Sequence, residues 1–282
     1  MQLFFDIIKS FVIGIVQGIT EWLPVSSTGH IILFEKFLNF NSQYFTADFA
    51  EMFEVVIQFG SILAVLLLFF NKLNPFSAKK DTVQKKETLS LWSKVIVAVI
   101  PAAVIGLLFD DLLDQYLYNV TTVSATLIIY GILFIFVENY NRRRKSQTTS
   151  LDKLSYKTAF IIGAFQILAL IPGTSRSGST ILGAIILGCS RYVAAEFSFF
   201  LAIPVMFGAS GLKIFKFFLE GNMFSMGQFI ILLIGMVVSF IVSVFAIRFL
   251  MNFVKKHNFK IFGYYRILLG IILIILMLLG LM

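Results

Sequence analysis

Gln17-Gly18-Ile19-Thr20-Glu21-Trp22-Leu23-Pro24-Val25-Ser26-Ser27-Thr28-Gly29-His30 is a polar island in a chain otherwise composed for lipid. It holds a carboxylate, four hydroxyls, a carboxamide and one of the two histidines. Polar groups at bilayer depth cost several kcal/mol each, roughly, when unsatisfied, so a cluster of them reads as functional. A second island answers the first: Pro172-Gly173-Thr174-Ser175-Arg176-Ser177-Gly178-Ser179-Thr180. The expectation is that the two meet within the membrane and together grip a phosphate.

The surroundings of the islands set the fold class. The chain has 282 residues, of which 59% are hydrophobic and only 13% charged, and its mean hydropathy is +0.92. Soluble domains carry about 25% charged residues, so this is an all-α polytopic membrane protein. No cleavable signal peptide is expected, because Asp6 precedes Lys9 and no basic segment leads the apolar run. A single cysteine, Cys189, excludes an intrachain disulfide. The net charge of +8 fits cytoplasmic loops of a membrane protein better than nucleic acid, which is not expected as a partner.

Apolar stretches at 53–70, 95–109, 120–137, 196–212, 228–247 and 262–282 read as six spans. Residues 1–34 and 158–190 are each broken by an island and read as re-entrant helical hairpins. The loop holding Lys79, Lys80, Lys85 and Lys86 and the cluster Arg142–Lys145 would be cytoplasmic, and an acidic turn at Asp110–Asp114 would lie outside. Lys213 and Lys216 then fall outside against the rule. The halves echo each other: Gly14-x-x-Gln17 with Pro24–Gly29, and Gly163-x-x-Gln166 with Pro172–Gly178, allowing one gap. Three spans follow each island, an odd number, so the second copy is inverted relative to the first. One membrane domain, 1–282, thus divides into repeats 1–140 and 155–282.

The chemistry follows from residue type and spacing. Gln17 and Glu21 are four apart and share a helix face. Glu21 is either a neutral buried acid or a metal or proton-handling group. Pro24 with Ser26, Ser27 and Thr28 looks like a helix start, where free N–H groups favour phosphate. His30 lies on the same face as Ser27, whereas His257 reads as a loop residue. Arg176 is the only charge between Lys157 and Arg191, and its planar fork suits phosphate oxygens. Pairing with Glu21 is the structural alternative. Ser175, Ser177, Ser179 and Thr180 supply more donors than such a pair needs, while Gly173 and Gly178 let backbone N–H groups face an anion.

Gln17-x-x-x-Glu21, Pro24-x-Ser26-Ser27-x-x-His30 and Pro172-Gly173-x-Ser175-Arg176-Ser177-x-x-Thr180 resemble the signatures of the undecaprenyl-diphosphate phosphatases, the bacitracin-resistance family. The resemblance covers the whole chain. Position 17 is Gln where many members carry Glu, and Gln is the weaker metal ligand. The resemblance implies hydrolysis of a polyprenyl diphosphate lipid to the monophosphate, recycling the carrier for peptidoglycan. It also implies a divalent cation (Mg2+ or Ca2+) held at Glu21, and a site facing outward from the bacterial cell membrane.

Within that frame Glu21, Ser27, His30 and Arg176 are the expected catalytic groups. Gln17, Ser26, Thr28, Gly173, Ser175, Ser177 and Thr180 would bind substrate. Ser27 is the expected nucleophile with His30 as its base or as proton donor to the leaving group; a phosphorylated His30 and direct attack by water stay open. A homodimer is left open too. A lipid-carrier flippase is the rival function, since it would need the phosphate grip but no Ser–His pair. The acid-phosphatase-like lipid phosphatases are excluded, because no histidine lies between His30 and His257.

Overall fold

A computed structural model describes residues 1–38 and 42–281, with Glu35, Asp110, Asp111 and Asp114 described by backbone alone. It contains α1 (Gln2–Thr20), α2 (Ser27–Leu38), α3 (Ala47–Leu68), the short α4 (Phe70–Leu73), α5 (Thr82–Leu117), α6 (Val120–Asn141), α7 (Tyr156–Ile167), α8 (Arg176–Ile186), α9 (Arg191–Leu219), α10 (Met226–Phe253) and α11 (Lys260–Leu278). A 3-10 turn, Leu168–Leu170, extends α7. No strand occurs among the described residues. Among the described residues, seven helices are long and apolar enough to cross a membrane: the six expected spans and α1.

Helix α1 pairs with α2, and α7 with α8, each pair joined through one of the islands. These are the two expected hairpins. Two boundaries differ from expectation. The lysine segment is helical from Thr82 onward, because α5 extends well below the apolar stretch at 95–109. At its other end α5 continues to Leu117, so the expected acidic turn is backbone helix; the side chains of Asp110, Asp111 and Asp114 lie outside the described residues.

The hairpins enter the bundle from opposite ends. Near the start of α1, Ser42 donates to Asp6 at 2.8 Å, beside the beginning of α3. The start of α7 instead touches the early part of α5, where the Tyr156 and Ser93 hydroxyls lie 2.7 Å apart, near where α3 ends. Packing exchanges between the halves in the same sense: α1 lies on α10 and α7 on α5, while α3 meets α9 and α6 meets α11. The unexpected Lys213 is explained by position, since it pairs with Glu51 of α3.

Close approach at these contacts depends on glycine. A Cβ on Gly14 would meet the Gly235 carbonyl oxygen at 2.8 Å, and one on Gly163 would meet that of Ala98 at 1.9 Å. Small residues permit such helix contacts in lipid, where apolar burial alone gives no net drive. Gly163→Ala is therefore expected to destabilise the protein by about 1–3 kcal/mol, despite alanine's better helix propensity. Gly208→Ala, with nothing within 4 Å of the added methyl, is the control. Thermal unfolding in detergent measures both, and equal melting temperatures would refute the packing account.

Candidate active site

Each island breaks its hairpin with the same device. Ser26 (φ 73°) and Ser175 (φ 72°) are the two described non-glycine residues with positive φ. Each immediately precedes a helix, α2 or α8, and its Oγ accepts from the backbone N–H three residues on: Gly29 at 3.3 Å and Gly178 at 3.2 Å. Non-glycine residues in this region cost of order 1–3 kcal/mol each and cluster at functional sites. The residue after each strained serine opens its helix: Ser27 begins α2 and Arg176 begins α8. Both are partly accessible, whereas Ser26 and Ser177 are buried.

Glu21 joins the two helix starts. Its Oε1 accepts from Arg176 Nη2 at 3.1 Å. Its Oε2 accepts from Gln17 Nε2 at 2.8 Å and from Ser27 Oγ at 3.5 Å. Ser177 Oγ, from the second island, donates to the backbone carbonyls of Glu21 (3.2 Å) and Leu23 (3.3 Å) in the first. Arg176 is held from behind by the Ser198 carbonyl at 3.0 Å. The islands meet, and the Glu21–Arg176 ion pair weighed as a structural alternative is present.

The remaining candidates divide. Thr180 is buried; its hydroxyl accounts are internal, to the Arg176 carbonyl at 2.9 Å and the Ser198 hydroxyl at 2.7 Å. Gly173 (φ 86°) shapes the turn: a Cβ there would lie 2.2 Å from Thr126 Oγ1. Ser175 caps α8, with its Oγ 3.2 Å from that of Ser177, and Thr28 is half-buried on the first turn of α2. His30 is not joined to Ser27 here. Its Nδ1 donates to the Ser26 carbonyl at 2.7 Å, which leaves Nε2 to accept from the Tyr265 hydroxyl at 2.7 Å. The ring stacks on Tyr265 with centroids 5.6 Å apart.

With this geometry in view, the family model described as Bacitracin resistance protein BacA matches residues 10–272. The chain belongs to that family. A protein of Enterococcus faecalis named undecaprenyl-diphosphatase is 58% identical over 273 residues, covering 97% of this chain and 98% of its own. One of Acetivibrio thermocellus with the same name is 57% identical over 270 residues, 96% of this chain and 97% of its own. The undecaprenyl-diphosphatase 1 of Clostridioides difficile is 58% identical over 269 residues, 95% of each. The resemblance drawn from the motifs is borne out.

In this BacA-family chain the structure adds a residue that motif reasoning passed over. Arg266 of α11 is fully buried. Its Nη2 donates to the carbonyls of Gly173 (2.8 Å) and Thr174 (2.9 Å), and its Nη1 to that of Pro24 at 3.3 Å. One guanidinium thus ties both island turns, and the Tyr130 ring lies 5.6 Å from it. The signal was legible: Arg266 is the only charged residue after Lys260. Tyr265 and Ser198 had no comparable sign, since each takes part only through tertiary placement.

Proposed function

We infer that the chain is an integral-membrane undecaprenyl-diphosphatase, converting undecaprenyl diphosphate to the monophosphate and inorganic phosphate. The observation that carries this reading is the convergence of two helix starts, bearing Ser27 and Arg176, on the single carboxylate of Glu21. Helix N-termini favour anions through their free N–H groups and dipoles. The polyprenyl tail stays in lipid while the diphosphate enters between the islands. Arg176 then transfers from Glu21 to the terminal phosphate, where its fork matches two oxygens. Ser27 Oγ attacks the terminal phosphorus as its proton passes to Glu21 Oε2, which it already faces. The bridging P–O bond breaks, the prenyl monophosphate leaves, and water cleaves the phosphoserine to release inorganic phosphate. His30 holds the strained Ser26 turn through its carbonyl, so in this mechanism it is a positioning residue.

A divalent cation fits this site as one carboxylate plus neutral oxygens. Glu21, Ser27 Oγ and Gln17 Oε1 would hold it, with phosphate oxygens completing the shell. Gln17 Oε1 is buried without a hydrogen-bond partner, which supports the assignment. The cation would neutralise charge on the transferred phosphoryl. Phosphate release by purified protein from a prenyl diphosphate tests the function. Activity is expected to vanish with chelator and to return with Mg2+ or Ca2+; full activity in chelator removes the metal from the proposal. Absence of release under every metal condition would favour a flippase.

The orientation proposed is lysine-rich loops inside and the islands opening outward, in the bacterial cell membrane. Cysteines at Lys80 and Arg143 in a Cys189→Ala background are expected to resist an impermeant thiol reagent in intact cells and to react after lysis. Labelling of either in intact cells would reverse the orientation.

A further inference from the structure

A second cationic site lies at the other end of α8. An open cavity of about 740 Å3 is lined by Arg142, Arg144, Lys145, Arg191 and Lys255, with Glu138 as its one carboxylate. That carboxylate is already committed. Its Oε1 accepts from Arg191 Nε at 2.8 Å and from the Phe259 N–H at 3.0 Å, and its Oε2 from Arg191 Nη2 at 2.6 Å. Four cations, Arg142, Arg144, Lys145 and Lys255, therefore face the cavity with no uncommitted acid among its lining residues. The positive-inside tendency accounts for cations at this end of the bundle. It does not account for their arrangement around one hollow.

The cavity is also built rather than incidental. The segment after Arg144 is pinned across the start of α9 by backbone bonds: Gln147 N–H to the Gly188 carbonyl at 2.9 Å, and Ser190 N–H to that of Thr148 at 2.9 Å. Arg144 lies over the Tyr140 ring at 3.9 Å and donates to its hydroxyl, and Lys255 lies 5.7 Å from the Tyr192 ring. Such contacts hold cations in place before a ligand arrives. One wall is apolar, with Ile185, Ile186, Leu187 and Val254, and Ile186 is exposed. A free anion has no use for that wall; a phosphate carrying an acyl chain does.

We propose that this cavity binds the phosphate headgroup of an anionic membrane lipid, separately from the substrate site at the islands. The cations grip the phosphate while the chain lies along Ile186 into the bilayer, a pattern in which each Lys or Arg near the surface contributes measurably to anionic-lipid binding. Ile186 at the cavity lies ten residues from Arg176 on α8, about 15 Å along a rigid helix.

The test uses full-length protein in neutral detergent, titrated with phosphatidic acid, with phosphatidylcholine of the same chains, and with inorganic phosphate, and read by native mass spectrometry. Wild type is expected to retain phosphatidic acid over phosphatidylcholine. Arg142→Gln, Lys145→Gln and Lys255→Gln combined should weaken that retention about fivefold for each charge removed, with phosphate release from prenyl diphosphate unchanged. Retention should persist in Arg176→Ala. Equal retention by the triple variant, or loss on Arg176→Ala instead, would overturn the proposal. Inorganic phosphate binding as tightly as the lipid would overturn its lipid identity.

Discussion

Arg176→Ala is expected to lower kcat/KM for prenyl diphosphate by about 10^3–10^5-fold, the range over which an arginine stabilises a transferred phosphoryl group. Arg176→Lys should recover little, because an ammonium is a point charge that cannot make two parallel bonds to phosphate oxygens. The Glu21–Arg176 ion pair gives the competing explanation its sharpest form. Were the arginine needed only to neutralise Glu21, then Glu21→Gln/Arg176→Gln would remove both charges and keep activity. The double variant is expected to be as inactive as Arg176→Ala alone. Steady-state kinetics on the four proteins decide it, and near-normal turnover by the double variant would return Arg176 to a structural role.

Ser27→Ala is expected to reduce turnover by at least about 10^3-fold while leaving substrate binding in place. What remains after a nucleophile is lost is the part due to binding and charge stabilisation. The partners of Ser27 make the prediction specific. Because Ser27 Oγ faces Glu21 and not His30, Glu21→Gln should add to Ser27→Ala only the loss of the cation it would hold, and no further loss of a base. His30→Ala should instead lower turnover through a misplaced Ser26 turn, with a loss that multiplies onto that of Ser27→Ala. The reverse pattern, a non-additive Ser27–His30 pair, would restore the serine–histidine arrangement that spacing alone suggested. Label trapped on His30 in a phosphoenzyme would exclude Ser27 as nucleophile.

Much of this architecture was legible because lipid permits few exceptions. Each island stood out as polar sequence at membrane depth, and the break at Pro24 or Pro172 located each hairpin turn. Arg176 was found because it had no neighbouring charge to explain it. The same logic applied to Arg266 would have found it, but next to Tyr264 and Tyr265 it resembles an interfacial anchor. Helix spacing placed His30 near Ser27 and could not show that its ring turns toward Tyr265, 235 residues away. Nor could pattern reveal that Ser26 and Ser175 share a left-handed backbone, since serine rarely adopts one without tertiary support. Helix ends were the weakest reading, as the length of α5 shows, because hydropathy reports where lipid begins and not where a helix stops.

The exchange of packing partners between the halves has a consequence for how the protein is made. Helix α1 rests on α10, whose first residue is synthesised roughly two hundred residues after α1 is complete. At about 5–20 residues per second, the first island waits on the order of tens of seconds in the membrane before its supporting wall exists. Helix α7 meets no such delay, because α5 is already present when it emerges. The N-terminal hairpin is therefore the vulnerable part of a nascent chain, the segment that a membrane chaperone or a quality-control protease would encounter unassembled. A chain cut short before α10 would carry both islands but lack the wall that keeps the first in place, together with Arg266, which ties their turns.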